Sequence, residues 1–102
     1  MATLHTVNKS PFTGQSLISC LGHAKAGDTV LMIEDGVYGA SKGTGLAMAV
    51  ENLAAGVTLA VLAPDLAARG IPAERLMDGV KSVDYAGFVD LAATHDRTQS
   101  WL

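Results

Sequence analysis

The sequence contains a single cysteine, Cys20, among its 102 residues. A lone cysteine cannot form a disulfide within the chain, and free thiols persist in a reducing compartment such as the cytoplasm. No apolar run approaches the roughly 20 residues that a membrane-spanning helix needs. Residues 1–9 also lack the charged start and the apolar run of a secretory signal. These absences predict a cytoplasmic protein that does not span a membrane.

Charged residues are scarce as well. They make up 17% of the chain, while hydrophobic residues make up 49%, and a typical globular chain is about 25% charged. We therefore expect part of the surface to be covered by another chain. The net charge is -3, and no cluster of Lys and Arg occurs, so the sequence predicts no nucleic-acid interface.

What is present alternates between strand-like and helix-like segments over a length typical of one domain, residues 1–102. The predicted strands are Leu4–Val7, Thr29–Ile33, Val57–Leu62 and Lys81–Tyr85. The predicted helices are Ser16–Lys25, Gly45–Leu53 and Tyr85–Thr94, with short turns at Leu66–Arg69 and Pro72–Met77. Residues 96–102 are expected to form a polar tail. The alternation predicts an α/β fold, a single small domain with a mostly parallel sheet sandwiched between helices.

Cys20 lies in the first predicted helix, for which Ser16 or Thr13 is the expected N-cap. One face of this helix carries Leu17, Cys20, Leu21 and Ala24. Two interpretations of the cysteine stay open. It is either a small buried hydrophobe or a thiolate whose pKa is lowered by the positive end of the helix.

Two acidic residues, Glu34 and Asp35, follow the second strand at the edge where parallel sheets place ligands. They are candidates for acid–base chemistry or for holding a hard cation. The alternative is that they close the end of the strand and face solvent or a partner.

Other motifs point to no cofactor and no metal. Residues 43–45 resemble the start of a dinucleotide-binding loop, but Met48 replaces the third glycine. The histidines His5, His23 and His95 lack the spacing of metal ligands. His23 lies one helical turn after Cys20 and is a candidate to assist its thiol. At the end of the chain, Trp101 and Leu102 are expected to dock, on this fold or on a partner.

Several segments closely resemble the DsrH/TusB family in order and spacing. They are Leu4–Phe12, Glu34–Tyr38, Ala63–Gly70, Val83–Leu91 and Gln99–Leu102. The match looks closer to DsrH, because Cys20 stands where DsrH proteins carry a cysteine and TusB proteins commonly do not.

The resemblance implies a fold shared with DsrE and DsrF and a place in a heterohexameric sulfurtransferase, DsrEFH. That complex passes persulfide sulfur to a DsrC-like carrier protein in dissimilatory sulfur oxidation, and the related TusBCD complex serves tRNA thiolation. Its partners would be DsrE-like and DsrF-like subunits and the carrier. In both complexes the best supported sulfur-carrying cysteine lies on the DsrE or TusD subunit.

Three hypotheses about function follow. In the first, Cys20 is catalytic and relays persulfide sulfur without metal or organic cofactor. In the second, the chain is a non-catalytic structural subunit of the same complex or of a TusBCD-like one. In the third, it is an unrelated small-molecule binder that uses the strand ends near Asp35 and Pro64.

Overall fold

The computed structural model describes residues 2–43, 53 and 55–102. Its strands are β1 (Thr3–Val7), β2 (Thr29–Met32), β3 (Thr58–Leu62), β4 (Val80–Val83) and β5 (Arg97–Trp101). Its α-helices are α1 (Ser16–His23), α2 (Ala63–Ala68) and α3 (Tyr85–Thr94), and two 3-10 helices span Glu34–Ala40 and Ala73–Arg75. The predicted helix Gly45–Leu53 falls almost entirely on residues 44–52, which lie outside the described part.

The strands form one sheet in the order β4-β3-β2-β1-β5, and every pairing is parallel. The chain steps from β1 to β4 in one direction and then returns across the sheet to place β5 beside β1. Since crossovers between parallel strands are right-handed, the forward and return connections must lie on opposite faces. The predicted α/β fold with a parallel sheet between helices is confirmed.

The first face carries the larger hydrophobic core, which we call the α1-side cluster. It is formed by residues of β1, α1, β2, the first 3-10 helix, β3 and α2: Val7, Leu17, Cys20, Leu21, Ala24, Val30, Met32, Val37, Ala40, Leu59, Val61 and Leu66. The sequences of β2 and β3 are nearly continuous apolar runs, because both faces of these strands are covered.

The opposite face carries the α3-side cluster, whose buried members are Leu4, Leu31 and Ala60. Phe88 and Leu91 of α3 pack against them but remain partly exposed. Helix α3 matches its predicted bounds, and the side chain of Asp84 caps it by accepting a hydrogen bond from the Gly87 N–H at 2.8 Å.

Two predictions are wrong. Residue Gln15, not Ser16 or Thr13, holds the N-cap position of α1 and provides no side-chain cap. The supposed polar tail contains β5, which pairs with β1 along its whole length. An edge strand draws its stability from backbone hydrogen bonds with one neighbour, so it needs no apolar run to mark it in the sequence.

Among the described residues, no helix combines the length and apolar character that crossing a membrane requires.

Candidate functional site

Cys20 is the fifth residue of α1 and points into the α1-side cluster, with 0% of its surface exposed. Neighbouring members of its helix face, Leu17 and Leu21, are buried with it. The prediction that Cys20 lies on the apolar stripe is therefore confirmed. A position beyond the first turn also removes it from the strongest part of the field at the helix N-terminus.

Burial is the first cause that raises the pKa of the Cys20 thiol, and the negative charge of Asp28 is the second. Together they raise it from 9.0 to about 12. At neutral pH the thiol therefore stays protonated, whereas the thiolate is the nucleophilic form. In this conformation the cysteine has the properties of a buried hydrophobe.

A buried polar network lies beside the cysteine and joins three strand-associated residues that are distant in sequence. The His5 Nε2–H donates a hydrogen bond to the Asp28 carboxylate at 2.9 Å. The Trp101 indole N–H donates to His5 Nδ1 at 3.0 Å. Because Nδ1 accepts, the proton of the neutral ring lies on Nε2, so the network defines the tautomer of His5.

Asp28 is the electrostatic centre of this network. Burial alone would raise the pKa of its carboxyl, but hydrogen bonds from His5 and from the backbone N–H groups of Lys25 and Thr3 outweigh that effect. They lower the pKa from 3.8 to about 2. The carboxylate is thus ionised at neutral pH, and a charge next to a buried thiol opposes formation of a second negative charge.

The other two histidines make separate contacts. His23 is exposed, its Nδ1–H donates to the Ser19 carbonyl oxygen at 2.7 Å, and its ring lies 5.6 Å from that of Trp101. It makes no hydrogen bond to Cys20. His95 accepts a hydrogen bond from the Thr29 hydroxyl at 2.9 Å on the far side of the sheet from Cys20. In the part of the chain that the structure describes, no group of histidine, cysteine and acidic side chains is arranged to hold a metal.

The acidic pair after β2 closes the end of the strand. Glu34 has a positive φ of 49°, and its backbone N–H donates to the Asp65 carboxylate at 2.6 Å. Asp35 accepts a hydrogen bond from the Arg69 guanidinium at 3.0 Å. These contacts tie the β2 turn to α2, which agrees with the structural alternative for Glu34 and Asp35.

The chain end docks in part. The Trp101 side chain is half-buried and reaches both His5 and His23. Leu102 stays 83% exposed, although its carbonyl oxygen accepts a hydrogen bond from the Ser16 hydroxyl at 3.1 Å. On this fold, the expected docking is confirmed for Trp101 and not for the Leu102 side chain.

Sequence reasoning missed the His5–Asp28–Trp101 network. Spacing gives no sign of it, because its members are separated by 23 and 96 residues from His5. The available signals were a histidine inside an apolar strand, an acidic residue directly before another apolar strand, and a terminal tryptophan.

Comparison with known proteins identifies the family. The family model described as "DsrH like protein" matches residues 9–98. Protein TusB of Pectobacterium parmentieri is 35% identical over 98 residues, covering 96% of this chain and 99% of that protein. Protein TusB of Erwinia tasmaniensis is 37% identical over the same shares of each chain.

Solved structures agree on the fold. The ychN protein from E. coli superposes with a TM-score of 0.76 at 16% identity, covering 98% of this chain and 99% of that one. Protein Tm0979 from Thermotoga maritima gives a TM-score of 0.67 at 25% identity, covering 91% and 92%. The chain therefore belongs to the DsrH/TusB family, whose members are subunits of sulfur-relay complexes.

Proposed function

We propose that this chain is a non-catalytic structural subunit of a cytoplasmic sulfur-relay complex of the TusBCD kind, which serves tRNA thiolation. Residues 1–102 form its single DsrH-like domain. The sulfur-carrying cysteine then lies on a DsrE-like sister subunit, a DsrF-like subunit completes the assembly, and a DsrC-like protein receives the sulfur. The high similarity to proteins named TusB supports this choice over a role in sulfur oxidation.

The single observation that carries the proposal is the state of Cys20. A relay cysteine needs thiolate character and access for a donor sulfur. Cys20 is fully buried, and its thiol pKa is raised to about 12. Both properties are opposite to those that persulfide exchange requires.

The surface supports a role as a subunit. Among the described residues, the exposed large hydrophobic side chains are Phe12, Ile18, Tyr85, Val89 and Leu102, each at least 47% exposed. Tyr85 and Val89 lie one turn apart on the outer side of α3, so they form one apolar strip. We assign this strip to the contact with a sister subunit, which would reduce its exposure to water.

The second candidate is that Cys20 itself carries sulfur within a DsrEFH-type complex for sulfur oxidation. The resemblance of the Cys20 position to that of a cysteine in DsrH proteins favours it. The Cys20 thiolate would attack the outer sulfur of a donor persulfide, take that sulfur as its own persulfide and release the donor as a thiolate. In this candidate α1 must move away from the sheet before Cys20 can react.

Intact-mass analysis separates the two candidates. The chain is co-expressed with its sister subunits, and the complex is exposed to a persulfide donor. The intact mass of each subunit is then measured. Cys20→Ala is the matched variant, because Cys20→Ser would place a hydroxyl without a partner in an apolar core, at a cost of about 1–3 kcal/mol. The structural role predicts sulfur on a sister chain and an unchanged transfer rate in Cys20→Ala. A gain of sulfur on this chain that the variant loses would overturn it.

Alkylation of the folded chain provides an independent check. We expect iodoacetamide to modify Cys20 at least 100-fold more slowly than a free thiol peptide at pH 7.5, because so little thiolate is present and the side chain is buried. Urea at a concentration that unfolds the chain should restore the ordinary rate, which serves as the control. Rapid alkylation of the folded complex would favour the carrier role.

A further inference from the structure

A cavity of about 490 Å³ is lined by segments that follow β1, β2 and β3 in the chain, and the carboxyl ends of these adjacent parallel strands share one edge of the sheet. Phe12 from the segment after β1, Tyr38 from the 3-10 helix after β2 and Ile71 from the segment after α2 contribute to its lining. Open parallel sheets bind ligands at this edge, and the volume falls in the range of small-molecule sites, roughly 300–1,000 Å³. The cavity lies apart from Cys20 and from the His5–Asp28–Trp101 network.

Two cationic side chains, Lys42 and Arg75, line the same cavity. They face each other across a short antiparallel bridge between Ser41 and Leu76. The Lys42 N–H donates to the Arg75 carbonyl oxygen at 2.7 Å, and the Met77 N–H donates to the Ala40 carbonyl oxygen at 2.8 Å. These backbone bonds set the two cationic residues opposite each other on the two strands of one narrow ribbon.

Such a pairing is unfavourable by itself. Like charges directly opposite each other on antiparallel strands repel, since their Cβ atoms lie roughly 5 Å apart. Among the described residues, the ion pair Arg69–Asp35 and the hydrogen-bonded pair His5–Asp28 include neither Lys42 nor Arg75. The described residues that line the cavity also include no acidic side chain. In a chain of net charge -3, this is a locally positive concave site.

We propose that this cavity binds a small organic oxyanion, a phosphate- or sulfonate-type group carried on an apolar or aromatic body. Lys42 and Arg75 bind the anionic group, and the planar guanidinium of Arg75 matches two of its oxygens. Tyr38 and Ser41 also line the cavity, and each carries a hydroxyl group, which is a hydrogen-bond donor suited to an oxyanion. Phe12 and Ile71 contact the apolar body, because an inorganic anion alone would leave most of the volume unfilled.

Calorimetric titration of the full-length chain with phenyl phosphate tests the site, with inorganic phosphate and phenol as the two partial ligands. We expect one saturable site for phenyl phosphate, weaker binding of inorganic phosphate and the weakest binding of phenol. Lys42→Gln and Arg75→Gln should each weaken the binding by about tenfold or more, the effect of losing one charge-assisted hydrogen bond. Both residues are exposed, so neither change disturbs the core.

Lys81→Gln is the matched control, since Lys81 is an exposed cation on β4 outside the cavity lining. Its affinity should equal that of the unmodified chain. Absence of saturable binding, or equal loss in Lys81→Gln, would overturn the site. Inorganic phosphate binding as tightly as phenyl phosphate would overturn the assignment of an organic ligand. No sister subunit is needed, so failure here leaves the proposed structural role untouched.

Discussion

The two faces of the sheet differ in how completely they are buried. Among the described residues, the α1-side cluster contains twelve buried members and the α3-side cluster contains three. Topology sets this difference, because the forward connections place α1 and α2 on one face, whereas the single return connection places α3 on the other. The first face therefore packs into a well-buried core, whereas the second face is covered by a single helix, α3.

The sizes of the strand side chains add to this difference in burial between the two faces. On β3, Leu59 and Val61 point to the α1 side, whereas the small Ala60 points to the α3 side. No residue of α3 is fully buried. The comparison teaches that Cys20 lies on the closed face, where access is poorest, while the apolar strip of α3 lies on the face that gains most from a partner.

Of the substitutions that test this comparison, Gly36→Ala should lower the free energy of unfolding the most. A Cβ at Gly36 would collide with the Val7 carbonyl oxygen, so the 3-10 helix could no longer pack at the end of β1 in the α1-side cluster. We expect a loss of about 3 kcal/mol or more, at the upper end of overpacking effects, measured by urea unfolding. Gly22→Ala in α1 is the matched control, because nothing lies within 4 Å of its added Cβ. Equal stability of Gly36→Ala and the native chain would show that the two segments pack loosely.

Truncating one leucine on each face compares the two cores directly. Leu17 of α1 is 2% exposed, and Leu17→Ala should cost about 3 kcal/mol because it leaves a cavity in a closed core. Leu91 of α3 is only partly buried, so Leu91→Ala should cost about 1 kcal/mol in the isolated chain. Thermal and urea unfolding of both variants gives the ratio of the two losses in unfolding free energy. Similar costs would mean that the α3 face is as well packed as the other.

Acid unfolding measures how much the ionised Asp28 carboxylate contributes to the free energy of unfolding. Its carboxyl pKa is about 2 in the folded chain and near 3.8 when unfolded. A lowered folded pKa stabilises the fold above the unfolded pKa, and this contribution is lost as the pH falls from about 3.8 to 2.

Asp28→Asn should remove this acid-dependent step and cost about 2 kcal/mol at neutral pH, the effect of losing a charged hydrogen-bond acceptor. Asp78→Asn, at an exposed position, is the control and should leave the acid profile unchanged. An unaltered profile in Asp28→Asn would contradict the assignment.

Much of the fold was predictable from local pattern. Continuous apolar runs identified β2 and β3 within one or two residues, a short run with β-branched residues identified β1, and the bounds of α3 followed from its periodicity. Strand β5 was not predictable this way, because its sequence, Arg97–Trp101, carries no apolar run and it exists through pairing with β1. The cap of α1 was also mispredicted, since the Ser16 hydroxyl bonds to the chain end instead.

The sequence by itself determined the fold class, the position of Cys20 on an apolar helix face and the family, because periodicity and motif order are local properties of the chain. Tertiary structure decided the chemistry. It brought His5, Asp28 and Trp101 together from distant positions, and it surrounded Cys20 with apolar side chains beside a carboxylate. It also set Lys42 opposite Arg75. A pKa depends on burial and on neighbouring charges, and these are properties of the folded chain alone.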